Sequence, residues 1–444
     1  MKHKLKKNLS ILLVGLVMLT TLLAQPLSSH AAEVEVDAES AILVDAETGK
    51  ILYEKNSDMA LPPASMTKMM TEYLVWDAIK SEQISWDTTT QISDYPYSIS
   101  ANSNFSGIGL TQDKPYTVKE LYNAMAIFSD NGTTIALAEL IAGSEGEFVK
   151  MMNKKAEEMG LQDYKFVNST GLPNSLLGEN VPEGTDPNAN NLLSARSAAL
   201  LAYNLVNDFP EALEVSSITE TDFEGHHVEN LNWMLPHDAT FLKQFHYEGV
   251  DGLKTGHTDL AGYCFTGTAE RDGQRLISVV MKTDSKAKRF QETEKLYNYG
   301  FSNFNTKELF AKGYQLEGQE TLPVAKGKED SVGIATKDAI QVPVTKEQED
   351  KYTIKYTIDK DKLNKDGELK APIKKGEKLG TAEVIFEGEN DYGYIFNAEA
   401  NNTVDLIAKA DVEKDNWFML LLGSIGDFFS NLFSTIVDTV KGWF

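Results

Sequence analysis

Near Asn305 the apolar residues change their period, and a chain with two hydrophobic periods cannot fold as one uniform layer. Before that point strand-like and helix-like stretches alternate. Ala41-Ile-Leu-Val44 reads as a strand, Asp45 to Lys50 as a turn, and Ile51-Leu-Tyr53 as a second strand. Pro62-Pro63 stops that strand and precedes a helix with apolar positions at Met66, Met69, Met70, Tyr73 and Leu74. Thr117 followed by Glu120 forms a capping box. Further helices are predicted near Thr133 to Ala142 and Ser194 to Val206, and strands after Gly262 and at Leu276 to Met281. Between them, 168–191 is rich in Asn, Gly and Pro and reads as loops. This interleaving predicts an α/β (α+β) domain over 33–300. From 305 to 412 the period becomes two: Tyr352, Ile354, Tyr356 and Ile358 alternate with polar residues, as do Ala382, Val384 and Phe386. Turn residues at Lys375-Gly376-Glu377-Lys378 and Glu387-Gly388-Glu389-Asn390 separate such runs, so a small all-β domain is expected.

The two ends differ from both. Lys2, Lys4, Lys6 and Lys7 precede a short apolar core from Ile11 to Leu23, with small residues at Ser29 and Ala31. That layout predicts a signal peptide over 1–31 and work outside the cytoplasm. Over 417–444, Phe418, Leu421, Leu422, Ile425, Phe428, Phe429, Leu432, Phe433, Ile436, Val440 and Phe444 share one side of a helix. Asp427, Asn431, Ser434, Asp438 and Lys441 share the other. Aspartates at bilayer depth argue against a span, so an amphipathic helix lying in the membrane plane is expected. A formal charge of −24 repels phosphate and argues against a nucleic-acid partner, and one cysteine excludes a disulfide framework or a cysteine-rich metal cluster.

Three short polar motifs carry the chemistry. In Ser65-Met-Thr-Lys68 the serine and lysine stand one turn apart on a helix face. Serine needs an adjacent base to act as a nucleophile, and a lysine is a base only when neutral, which a nearby positive charge promotes. Ser129-Asp130-Asn131 sits at a break between helices, where hydroxyl and amide groups can relay protons or hold a peptide carbonyl. Lys254-Thr255-Gly256-His257 lies on a strand-like stretch, where lysine and hydroxyl can seat a carboxylate and glycine keeps the backbone close. Each motif is weak alone, and two have decoys: Ser285-Lys286-Ala287-Lys288 and Ser100-Ala101-Asn102. His226, His227, His237 and His246 fall close together, but no His-Glu-x-x-His helix accompanies them, which disfavours a metallopeptidase. Cys264 reads as a small buried hydrophobe.

In this order the three motifs are those of penicillin-binding proteins and class A β-lactamases. The chain resembles the low-molecular-weight penicillin-binding proteins, the serine-type D-alanyl-D-alanine carboxypeptidases. Asp45-Ala-Glu-Thr-Gly-Lys-Ile-Leu52, Phe166-Val-Asn-Ser-Thr-Gly-Leu172 and Lys374-Lys-Gly-Glu-Lys-Leu-Gly380 extend that resemblance over nearly all of the sequence. It implies a transpeptidase-like catalytic domain acting on peptidoglycan pentapeptide stems, without a metal or other cofactor, and inhibited by β-lactams. It further implies Ser65 as acylated nucleophile, Lys68 as general base and Ser129 as proton relay. Asn131 would hold the substrate, Lys254 and Thr255 its terminal carboxylate, and the N–H groups of Ser65 and His257 the oxyanion, beside Gly256. Lys254 would also help keep Lys68 neutral. Two alternatives remain: a β-lactamase, although no glutamate between 131 and 254 has asparagine four residues later, and a catalytically silent wall-binding protein. Ser197 departs from the family, which often has Asp there.

Overall fold

The computed structural model describes residues 34–345, 347–388, 391–396 and 403–415. The expected signal peptide and the C-terminal helix lie outside these residues.

Strand β1 (Ser40–Asp45) has six buried residues in succession, which requires cover on both faces of its sheet. It pairs with β2 (Ile51–Lys55) across a turn in which Asp45 accepts from the Thr48 N–H and hydroxyl, at 2.8 and 2.7 Å. After Pro63 a 3-10 turn, Ala64–Thr67, runs directly into helix α1 (Lys68–Lys80). The Thr117–Glu120 capping box opens α2 (Val118–Phe128), which ends at Ser129 in the left-handed conformation. The next helix, α3 (Asn131–Ala142), begins two residues before the sequence reading placed it. Asp130 accepts from the Thr133 N–H at 2.6 Å, and this cap sets the start. Then come α4 (Glu145–Glu158), which the sequence reading did not single out, and α5 (Ala195–Asp208), capped by Ser194.

Three long strands follow, β3 (Val250–Thr258), β4 (Gly262–Arg271) and β5 (Gln274–Thr283), and then α6 (Lys286–Asn303). The sheet is antiparallel in the order β2-β1-β5-β4-β3, so β3 is an edge strand. Its faces are covered separately. Ile42 and Val44 join the core with Met69, Leu200 and Leu201 of the helical side. Leu43 lies on the other side, where a Cβ on Gly300 of α6 would meet it at 2.9 Å.

From Asn305 the described chain is strands and short 3-10 turns. Tyr352–Ile358 and Lys378–Phe386 pair in antiparallel register in a six-stranded sheet, while Asn305–Phe310 pairs with Ile340–Val344. Ile51 N–H donates to Gly393 O at 3.0 Å and Ile395 N–H to Gly49 O at 2.9 Å, so a segment of the β region is stitched to the β1–β2 turn.

The exposed capping box at Thr117 is the clearest local test of helix entry. Thr117→Ala is expected to cost about 1 kcal/mol of stability, read as a lower urea midpoint with unchanged slope.

Candidate active site

The Ser65–Lys68 pair forms because a 3-10 turn leads straight into α1. Lys68 Nζ lies 3.0 Å from Ser65 Oγ, 2.8 Å from Asn131 Oδ1 and 2.9 Å from Thr170 O, and the side chain is 0% exposed. An ammonium would donate to all three. A neutral amine has two N–H groups and one lone pair. The Asn131 and Thr170 oxygens carry no proton, so they take the two N–H groups and leave the lone pair facing the Ser65 hydroxyl. Burial, then the charge of Lys254, drives the Lys68 pKa well below its ordinary value, against opposing carboxylates at Asp130, Glu72 and Glu145. The geometry and the electrostatics both favour the base form.

The second motif divides its work. Ser129 is buried, has φ +66°, and its Oγ has no hydrogen-bond partner among the described residues. Asp130 does not face the chemistry: its carboxylate accepts from Thr133 N–H and, at 2.7 Å, from Ile108 N–H. Asn131 donates from Nδ2 to Ser106 O at 3.1 Å while its Oδ1 meets Lys68. The sequence reading gave Asn131 to the substrate; its amide first fixes the lysine.

The third motif lies on edge strand β3. Lys254 is 2% exposed, and its Nζ makes no hydrogen bond or ion pair among the described residues. Thr255 is buried opposite Phe265, and His257 stacks on Tyr263 at 4.0 Å with Nδ1 2.9 Å from Gly262 O. A Cβ on Gly256 would lie 2.3 Å from Pro63 O and 3.3 Å from Met66 N. The glycine therefore brings β3 against the turn that carries Ser65, a closer constraint than substrate access.

Several supporting residues were not legible as such. Thr170 supplies a carbonyl, which no side-chain motif announces, although it lies in the family-like Phe166–Leu172 stretch. Asn168 Oδ1 accepts from the N–H groups of Thr170 and Gly171 at 3.2 and 2.7 Å. Asn191 donates to Thr67 Oγ1 and Asn168 O, each at 3.0 Å, joining that loop to the serine's turn. Glu145 accepts from Ser169 N–H at 2.8 Å and from the Tyr95 hydroxyl at 2.8 Å, so its buried carboxylate holds the loop. Arg289 reaches Gly256 O and Cys264 O at 3.3 Å each, and burial pulls its pKa down to about 10.

The decoys resolve into structure. Ser285 caps α6 by accepting from Lys288 N–H at 3.2 Å, and Lys288 pairs with Asp37. Ser100 accepts from Leu110 N–H at 2.9 Å. Ser197, where the family often has Asp, binds Gln162 through both its N–H and its carbonyl. His237 Nε2 lies 2.8 Å from Asn232 O, and His227 sits on a short hairpin near Glu220. Cys264 is fully buried, and burial raises its thiol to about 11.

Comparison with known proteins agrees with this geometry. Residues 27–285 match the D-alanyl-D-alanine carboxypeptidase family model, and 304–414 match that of the penicillin-binding protein 5 C-terminal domain. D-alanyl-D-alanine carboxypeptidase DacF of Bacillus subtilis is 33% identical over 95% of this chain and 99% of its own length. Among solved structures, PBP3 from Streptococcus pneumoniae matches with a TM-score of 0.68 and 34% identity, covering 85% of this chain and 99% of that one. Penicillin-binding protein 5 from Haemophilus influenzae gives 0.66 and 28%, over 86% and 98%.

The contact of β3 with the serine's turn can be probed directly. Gly256→Ala is expected to cost about 1–3 kcal/mol by overpacking against Pro63 O, measured as a lowered urea midpoint.

Proposed function

The chain belongs to the D-alanyl-D-alanine carboxypeptidase family and is a serine-type D-Ala-D-Ala carboxypeptidase, and from that premise we propose which residues do the chemistry and where. The substrate is the pentapeptide stem of peptidoglycan. Ser65 Oγ attacks the carbonyl of the penultimate D-alanine, and Lys68 Nζ takes the hydroxyl proton. The N–H groups of Ser65 and His257 stabilise the oxyanion. As the C–N bond breaks, Ser129 relays the proton from Lys68 to the leaving D-alanine amine, which returns Lys68 to its neutral form, and water then hydrolyses the seryl ester. Lys254 and Thr255 hold the terminal carboxylate, which Lys254 can do because its donors are not otherwise engaged. A β-lactam, which mimics the D-alanyl-D-alanine bond, acylates the same serine as its ring opens.

One observation carries this assignment: the Lys68 amine has two proton-free acceptors and one hydroxyl as its neighbours. No other arrangement of a neutral amine satisfies them all. The experiment is mass spectrometry of the penicillin adduct. The label is expected on Ser65 and absent in Ser65→Ala; an adduct on Ser285, or one surviving Ser65→Ala, overturns the assignment.

The mature enzyme works at the outer face of the bacterial cytoplasmic membrane. Its basic and then apolar first 31 residues support export, and the one-sided apolar pattern of 417–444 supports peripheral attachment. Lys441 is the one basic residue of that segment, so attachment is hydrophobic rather than electrostatic. Deleting 417–444 is expected to release a soluble enzyme that still cleaves small D-alanyl-D-alanine peptides. A truncated enzyme that sediments with membranes contradicts this reading.

A further inference from the structure

Helix α1 carries a second ionisable side chain one turn beyond Lys68. Glu72 is 3% exposed and lies among buried Met69, Met70, Tyr73, Leu74 and Val75. Its hydrogen-bond partner among the described residues is the Tyr122 hydroxyl, at 3.5 Å, and that hydroxyl itself accepts from Trp76 Nε1 at 2.8 Å. Neither Glu72 nor Lys254 makes an ion pair within 4.0 Å among the described residues. A carboxyl group buried with one long hydrogen bond is costly, and the reaction described above has no step for it.

What Glu72 does have is charge in a shared interior. Helix α1 packs on β3, the strand of Lys254, and both side chains are out of reach of screening solvent. We propose that Glu72 is a positioning residue, the internal counter-charge that keeps Lys254 an ammonium for the substrate's carboxylate. This rests on the assignment of Lys254 to that carboxylate. A direct ion pair would occupy the ammonium; a counter-charge held apart from it leaves the donors free.

The groups around the pair set the sign. Lys254 faces Glu72 from α1 and the Arg289 cation from α6; burial drives its proton off, Glu72 opposes that, and Arg289 assists it. Glu72 faces Lys254, the Tyr122 hydroxyl of α2 and Lys68 on its own helix; burial raises its pKa and Lys254 is the strongest group opposing the rise. Lys68 also faces Asp130 and Glu145. Removing the Glu72 charge leaves Lys254 with burial and Arg289 alone, so it loses its proton at lower pH. Recognition of an anionic substrate then fails earlier on the alkaline side.

The test is the rate of penicillin acylation across pH. In Glu72→Gln the alkaline limb is expected to move down by about one pH unit, and Glu72→Asp, which keeps the charge, restores most of its position. In a Lys254→Arg background Glu72→Gln should leave the alkaline limb in place, because a guanidinium does not deprotonate in this range. Should Glu72→Gln not fold, Tyr122→Phe serves: it removes the carboxylate's hydrogen bond and shifts the limb the same way by less. An alkaline limb unmoved in Glu72→Gln overturns the proposal, since a merely structural role lowers the rate without shifting the profile. An equal shift in the Lys254→Arg background overturns it as well. Failure of the nucleophile assignment reads out separately, as an adduct mass that does not map to Ser65.

Discussion

Lys68 Nζ sits out of contact with solvent and draws its hydrogen bonds from three separate parts of the chain: Ser65 in its own turn, Asn131 at the start of α3, and Thr170 in a loop. At Lys68 a missing partner would be costly, because each unmet buried polar group costs on the order of 1–3 kcal/mol. The α2–α3 break, the loop around Thr170 and the turn before α1 must therefore meet at one nitrogen. Each is fixed by its own polar supports. Asp130 holds the break to Ile108, Glu145 and Asn168 hold the loop, and Asn191 ties the loop to Thr67. The Ser65–Lys68 pair is the visible end of a buried hydrogen-bond network, and the network fixes its geometry.

The edge position of β3 is the complementary constraint. An edge strand presents unpaired backbone groups, which a substrate can use where another strand would aggregate. Gly256 lets that edge approach the serine's turn, where a Cβ would meet Pro63 O and Met66. Charge then does what contact does not. Lys254, Arg289 and Glu72 are all buried, no hydrogen bond or ion pair joins them among the described residues, and in a poorly polarisable interior charge acts beyond hydrogen-bond range. The charge of the lysine that would recognise substrate helps keep the lysine that would remove a proton in its neutral form.

The sequence and the structure agree most closely where the signal was local. The Thr117–Glu120 box and the strands around Gly262 are short-range patterns, and they fold as such, whereas β2 ends at Lys55, before the chain reaches the Pro62-Pro63 pair expected to stop it. Helix α4 was not singled out. Helix α6 was hidden behind its own cap, because Ser285 followed by Lys288 mimics a catalytic pair while serving to start a helix. Ser65 and Lys68 were legible because their types and spacing already imply chemistry. Glu145, Asn191 and Arg289 were not, since a buried glutamate, asparagine or arginine looks in sequence like any surface residue.

By itself the sequence determined the change of period at Asn305, the order of three motifs and hence the family and its reaction, since these rest on residue identity and near-neighbour spacing. Only the tertiary structure decided what surrounds the Lys68 amine: the Asn131 amide oxygen, the Thr170 carbonyl and the buried charges beyond them. The reason is physical. A proton's position depends on the full set of donors, acceptors and charges within a few ångströms, and here that set is drawn from segments up to 102 residues away from Lys68 in the hydrogen bonds, and farther still in the charges.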